Sequence, residues 1–227
     1  MGTQDGPGLR AVVFASGCPL RCIYCHNPDT HAIGEGEPTE HTELARRIER
    51  LIPYIKDGGV TFSGGEPCLQ AEFFAELAEL LHAMGLHVAL DTSGCIINDR
   101  VERLVSLCDL VLLDLKFTTE EDYRRYTGGS LGQTLDFLSL CERMGVPVRI
   151  RHVVVPGLND TGEDVEALDR LIEGKRCIEE IEPLPFRKLC LEKYEMLGIP
   201  FALAATPEMD EARLGELYSE IQKKYAR

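Results

Sequence analysis

The 227-residue sequence predicts an α/β domain built on a parallel sheet, and three observations predict it. Six short β-branched runs recur along the chain, amphipathic stretches of helical period lie between them, and the connections are mostly short. This alternation favours right-handed crossovers, in an open doubly wound sheet or a partial barrel. Both architectures place chemistry at the C-terminal ends of the strands.

The runs are Ala11 to Phe14, Val60 to Ser63, Val88 to Asp91, Leu110 to Leu115, Arg149 to Val155 and Glu180 to Leu184. Each is rich in the branched and aliphatic residues that suit a pleated sheet. Thr39, with Thr42 and Glu43 three and four residues on, opens the first helix. The clearest helical pattern runs from Leu69 to Met84, with Leu69, Phe73, Leu77, Leu80, Leu81 and Met84 on its stripe. Gly85 and Gly145 stand where helix C-caps are expected. No repeat, low-complexity tract or flexible linker interrupts the pattern, so one domain over residues 1–227 is expected.

Charged residues make up 27% of the chain and hydrophobic ones 44%, ordinary values for a globular domain. The formal charge of -14 is opposite to the footprint of a nucleic-acid binder. No run of 18 apolar residues and no signal-peptide pattern occur, so neither membrane nor secretion is expected. Nine cysteines, an odd number in a chain too long to need disulfide staples, fit a metal-binding or reactive role in a reducing cytoplasm.

The strongest chemical signal follows the first strand. Gly17-Cys18-Pro-Leu-Arg-Cys22-Ile-Tyr-Cys25-His26-Asn27 is a CxxxCxxC triplet on a loop with no fourth cysteine nearby. Three thiolates can hold three irons of a four-iron cluster and leave the fourth free, whereas clusters used for electron transfer alone are fully ligated by cysteine. The other reading of these residues is a zinc site closed by His26, although consecutive Cys25 and His26 would strain one tetrahedral ion. Cys68, Cys95, Cys108, Cys141, Cys177 and Cys190 read as small core or near-core residues.

Other candidates sit at strand ends. Ser63-Gly64-Gly65-Glu66-Pro67 closes the second strand, where glycine lets a backbone approach a ligand. Asp91 and Thr92 close the third strand. Asp114-Leu115-Lys116 closes the fourth, with Asp114 and Lys116 on one face as a salt bridge or a ligand contact. On the fifth, Arg149 and Arg151 share one face and Ile150 and His152 the other. The arginine face is expected to be cationic and to need anionic partners.

With these motifs in place, the sequence resembles the radical S-adenosylmethionine (SAM) enzymes over nearly its whole length. Asp5-Gly-Pro-Gly-Leu-Arg10 and Tyr24-Cys-His-Asn-Pro-Asp-Thr30 are similar to the activating enzymes of glycyl radical enzymes. The resemblance implies a partial (β/α)6 TIM-like barrel. It implies a 4Fe-4S cluster on Cys18, Cys22 and Cys25 with one open iron, SAM as co-substrate and a monovalent cation. By the same resemblance Tyr24, Cys25, His26, Gly64, Gly65, Asp91, Asp114, Leu115, Lys116, Arg151, Val153 and Arg187 would contact SAM. Lys116 would meet its carboxylate, and Asp91, Thr92, Leu112 and Asp114 would hold the cation. Arg187 stands where the family places a histidine near the ribose, and Arg149 has no counterpart and reads as an ion-pair residue.

The implied reaction is reductive cleavage of SAM and removal of hydrogen from a backbone glycine of a partner, with Asp5 helping to hold the partner's loop. The implied partners are a glycyl radical enzyme, pyruvate formate-lyase before others, and flavodoxin or ferredoxin as reductant. The alternatives are another glycyl radical enzyme as target, or a small molecule. Thr30 to Pro38 leaves no room for an inserted ferredoxin-like segment between the cluster loop, residues 17–27, and the first helix. Arg46, Arg47 and Arg50 offer a basic face for an acidic carrier, or simply a solvated helix face.

Overall fold

The computed structural model describes Gly2 and residues 4–226; Met1, Thr3 and Arg227 lie outside the described residues. Six strands form one parallel sheet in sequential order: β1 (Arg10–Ala15), β2 (Gly59–Gly64), β3 (Val88–Thr92), β4 (Leu110–Asp114), β5 (Val148–Val154) and β6 (Ile178–Pro185). A doubly wound sheet reverses its strand order part-way. An order that never reverses keeps every right-handed crossover on one side, so the helices cover one face and the other curves inward as a partial barrel.

The helices are α1 (His41–Glu49), α2 (Ile52–Ile55), α3 (Ala71–Ala83), α4 (Asp99–Ser106), α5 (Glu120–Thr127), α6 (Leu131–Met144), α7 (Gly162–Ile172), α8 (Leu191–Leu197) and α9 (Glu211–Tyr225). Local chemistry starts several of them. The Asn98 side chain accepts from the backbone of Arg100 and Val101, and Thr161 and Asp164 form a reciprocal capping box. Gly85 and Gly145 follow α3 and α6 at φ 75° and 69°, as expected of helix ends.

Two local expectations are corrected. The Leu69–Met84 pattern is a 3-10 turn over Pro67–Gln70 followed by α3, whose buried stripe is Ala71, Phe74, Ala75, Leu77, Ala78 and Leu81, while Leu69 is exposed. Pro67 and the side chain of Glu66, which caps the turn at the Cys68 N–H, set that start. Thr39 does not open α1. Its hydroxyl donates to the Glu37 carbonyl, and the helix begins after Glu40.

The strand period of two divides the sheet. Val60, Phe62, Val88, Leu90, Val111, Leu113, Val148 and Ile150 face the helices in one core reaching from Ala11 to Tyr225. Each large aliphatic or aromatic side chain fully buried there contributes roughly 1.5–3 kcal/mol. The inner face carries Thr61, Ser63, Asp91, Asp114, Arg149, Arg151, Glu180 and Glu182, in register across the sheet. Beneath them Ala89, Leu110 and Leu112 form a separate small apolar cluster. The six remaining cysteines fall largely as expected: Cys68, Cys108, Cys141 and Cys190 are buried, and Cys95 and Cys177 are half-buried.

His152 occupies the helix-facing side of β5, fully buried. Its Nδ1 lies 2.5 Å from the Leu115 carbonyl and its Nε2 3.0 Å from the Asn159 amide nitrogen. A neutral ring that donates from Nδ1 and accepts at Nε2 satisfies both partners. Burial pushes its pKa below the ordinary 6.5. The unfolded chain therefore binds a proton before the folded one does, and stability falls as pH drops below about 6.5. Urea unfolding from pH 7 to 5 is expected to show a shallower loss of stability for His152→Gln than for the unaltered chain. Parallel curves would contradict this.

Candidate active site

The C-terminal ends of the strands and the loop after β1 enclose a cavity of about 640 Å³. Cys18, Cys22 and Cys25 lie on its wall, with Tyr24 and His26 from the same loop. Gly64, Gly65, Asp91, Thr92, Asp114, Lys116, Arg151, Val153 and Arg187 complete the set that the sequence brought forward. Leu112 and Leu115 do not line it. Leu112 lies in the apolar cluster of the inner face, and Leu115 turns into the main core. The backbone of Leu115 donates to the Arg151 carbonyl and accepts from His152. Asp5 lies off the wall but next to Gln4, which lines it, and the Asp5 carbonyl accepts from the Thr61 hydroxyl at 2.6 Å.

The cysteine loop is pinned along its length. Gly17 N–H donates to Thr30, Cys18 to His31, Arg21 to Thr127 and Ile23 to Tyr126, at 2.8 to 3.2 Å. The Tyr194 hydroxyl donates to the Cys25 carbonyl. Burial pushes all three thiols up, Cys22 to about 12, so the thiolates become favourable only when a cation replaces their protons. Among the described residues no three His, Cys, Asp or Glu side chains gather around one metal-sized point. His26 turns Nε2 toward the Arg187 carbonyl at 3.0 Å rather than toward the sulfurs. With the imidazole turned away, the donors on this loop are three thiols, a set that fits a cluster with one open iron better than a four-coordinate zinc ion.

Gly64 and Gly65 let the end of β2 press against that loop. Gly64 has φ 106°, and a Cβ on Gly65 would stand 2.2 Å from the Gly17 carbonyl oxygen. No other residue type fits such a contact.

The inner-face charges are paired. Lys116 Nζ is 2.8 Å from Asp114, and Arg151 reaches Asp91 at 3.2 Å and Glu182 at 3.6 Å. Arg149 pairs with Glu180 at 3.0 Å, the structural role expected of it. The face expected to be cationic is therefore balanced by carboxylates from β3 and β6. Burial raises the Asp91 pKa to about 6 against the pull of Arg151. For Asp114, burial is outweighed by Lys116 and Arg151, which hold its carboxyl below the ordinary value.

Arg187, on the cavity wall as expected, is also tied to the segment beyond α8. Its guanidinium donates to the Met209 carbonyl at 2.8 Å and to Glu211 at 2.5 Å, with Glu208 at 3.8 Å. Glu208 and Glu211 themselves reach the cavity wall, from a segment that carries no local motif. Ser63, which opens the glycine motif but is not among the expected SAM contacts, donates to Asp91 at 2.6 Å, as the strand period allows by placing it on the inner face.

The family model "Radical SAM superfamily" matches residues 12–172. A pyruvate formate-lyase-activating enzyme of Clostridium pasteurianum is 42% identical over 225 residues, 98% of this chain and 94% of that protein. The chain belongs to the radical SAM superfamily. A pyruvate formate-lyase-activating enzyme of Staphylococcus epidermidis is 39% identical, covering 97% of this chain and 92% of that protein. Among solved structures, SuiB of Streptococcus suis bound to S-adenosylmethionine superposes with a TM-score of 0.68 at 15% identity, over 96% of this chain and 48% of that one. That likeness shows the fold.

Radical SAM membership implies a 4Fe-4S cluster and SAM. The cavity suits such guests on its own terms. Three free thiols stand on one side of it, and the buried Tyr24 hydroxyl has no hydrogen-bond partner among the described residues. A buried hydroxyl left so is a ready contact for a ligand. Cys22→Ser is expected to lower iron and sulfide bound after anaerobic reconstitution to under about a tenth of the unaltered chain, because serine is a poor iron ligand. Full iron content in that variant would remove Cys22 from the ligand set.

Proposed function

We propose that this chain is an activating enzyme for pyruvate formate-lyase, installing a radical on a backbone glycine of that partner. The observation that carries the reading is three cysteines, without a fourth, on the wall of a cavity also lined by paired acidic and basic side chains. The 42% identity to an enzyme of that name over 98% of the chain supports it. A main core that reaches from Ala11 to Tyr225 supports reading the chain as one domain.

Cys18, Cys22 and Cys25 would hold the cluster. Bound there, it would supply the one electron for reductive cleavage of a carbon–sulfur bond of SAM, with methionine as the leaving group and the adenosyl carbon taking a hydrogen atom from the partner's glycine. The protein's residues bind and orient. The Gly64–Gly65 backbone and the Lys116 ammonium would receive the amino and carboxylate ends of the methionyl group, while Tyr24 and Val153 would form an apolar seat for adenine and exclude water. His26 and Arg187 would close the mouth, joined through the Nε2 contact to the carbonyl. Asp91 and Asp114, with the carbonyls of Thr92 and Leu112, offer hard oxygens for a monovalent cation. Asp5, beside the cavity wall, would steady the partner's extended loop.

The electron would come from flavodoxin or ferredoxin. Of the arginines that could dock that carrier, Arg46 pairs with Glu43 and Arg47 with Glu37 and Glu43, which weakens their pull on an acidic partner. No described helix is long and apolar enough to cross a membrane.

The test is anaerobic incubation of reconstituted protein, dithionite and SAM with pyruvate formate-lyase. A glycyl radical doublet by electron paramagnetic resonance, with 5'-deoxyadenosine by chromatography, is the expected result. Deoxyadenosine without the doublet would move the target to another protein, and neither signal would overturn the reading. Lys116→Met is expected to weaken SAM binding about ten- to a hundredfold, the worth of one charged hydrogen bond. Asp5→Ala should slow glycyl radical formation severalfold while leaving deoxyadenosine formed in the absence of partner unchanged.

A further inference from the structure

Among the described residues eleven large hydrophobic side chains are exposed, and five of them fall within residues 189–199: Leu189, Leu191, Met196, Leu197 and Ile199. Met196 is 87% exposed and Leu189 82%. Of α8 itself only Tyr194 is buried. A single exposed leucine needs no explanation, but a group of this kind marks a docking surface.

The helix that carries this patch is fastened to the cysteine loop. The Tyr194 hydroxyl donates to the Cys25 carbonyl at 3.2 Å, and the Lys193 ammonium donates to Asn27 at 2.8 Å and Asp29 at 2.9 Å. Just before α8, Leu189 stands on the cavity wall. A helix with its side chains is about 10–12 Å across, so a partner on the outer side of α8 lies about one helix diameter from the loop that bears Cys25. An electron can tunnel through protein over such a gap.

Charge and size select the occupant. The chain is at -14, the Lys193 ammonium is paired with Asp29, and the Lys188 ammonium donates to the Ala204 carbonyl. The cations beside the patch are thus already engaged, and attraction for an acidic carrier has to come from apolar burial. The five side chains together expose about as much surface as three whole ones. That is short of the roughly 800 Å² per partner of a stable complex and suits a brief electron-transfer encounter. We propose that the apolar surface around α8 is the docking site of the reductant, a flavodoxin whose flavin presents an apolar dimethylbenzene edge. The inference rests on the proposed function, which needs one electron from outside the chain. In the encounter the reduced flavin is oxidised by one electron and the cluster is reduced by one, with no bond or proton transferred.

The doubly substituted chain Met196→Gln, Ile199→Gln tests this, since both side chains are exposed and neither lines the cavity. Binding of oxidised flavodoxin, the rate of cluster reduction by reduced flavodoxin and by dithionite, oligomeric state and the dithionite-driven glycyl radical doublet are measured for it and for the unaltered chain. The expected result is a dissociation constant for flavodoxin raised at least about tenfold and reduction by flavodoxin slowed to match, with reduction by dithionite and the doublet unchanged. Binding to the unaltered chain should hold or tighten as salt rises from about 0.01 M to about 1 M, which shortens the screening length from about 30 Å to about 3 Å. Equal flavodoxin affinity in the two chains, or steep weakening by salt, overturns the proposal. A doublet lost in the variant under dithionite assigns the patch to the target protein instead, and a dimer that the variant breaks assigns it to a second copy; either overturns the proposal. An unaltered chain that flavodoxin does not reduce, but that yields the doublet with dithionite, overturns the docking site and leaves the proposed function standing. Failure with both reductants overturns the proposed function itself.

Discussion

Ion pairing across the inner face of the sheet is the constraint on which the rest of this structure depends. Sequential strand order puts all the helices on one side, so the inner side chains face a shared concave space and cannot reach bulk water freely. Arg151 stands at the centre, between Asp91 of β3 and Glu182 of β6. Its register opposite Asp114 and Glu182 brings Lys116 and Arg149 into the same array. Such an array adds little net stability, because desolvation offsets most of the attraction. Breaking it is another matter, since a lost partner strands a charge at a cost of about 3–5 kcal/mol. The array therefore specifies which strand lies beside which, and stability comes from the aliphatic face behind it.

That division also explains why the cavity can be polar without weakening the fold. A shift of one residue in any strand would send its aliphatic set inward and its charges into the core. The alternation of β5 makes this plain, with Val148, Ile150, His152 and Val154 on one side and Arg149, Arg151 and Val153 on the other. Even His152, the polar member of the buried side, is satisfied by Leu115 and Asn159 and needs no charge. Binding chemistry and folding chemistry thus share strands but not faces.

Much of this was legible in the chain. Strand positions came out within one or two residues, because β-branched runs bounded by glycine and charge have few other readings. The cysteine triplet, the two glycines after β2 and the acid–lysine pair after β4 all fell on one cavity, since each lies at a strand end and strand ends converge. What was hidden depends on contacts between distant segments. Arg187 finds Glu208 and Glu211 only after the chain has made α8 and returned, so its ion pairs could not be read from the residues around it. The charge balance of β5 was half visible: Glu180 and Glu182 carry the spacing of Arg149 and Arg151, but only the register of β5 with β6 sets them side by side. Glu66 was seen as part of a turn, and nothing near it in sequence announces partners 26 and 27 residues away.

The cluster loop shows why three cysteines alone do not define such a site. Between Gly17 and Cys25 its backbone is held by residues at 30, 31, 66, 126, 127 and 194, drawn from the 3-10 turn after it, the end of β2, the last turn of α5 and α8. A loop that must place three sulfurs in fixed relation cannot rely on its own conformational preferences, since each ordered residue costs about 1–2 kcal/mol of backbone entropy. The surrounding fold supplies those contacts. A residue such as Tyr194, 169 positions from Cys25, helps decide where that sulfur points.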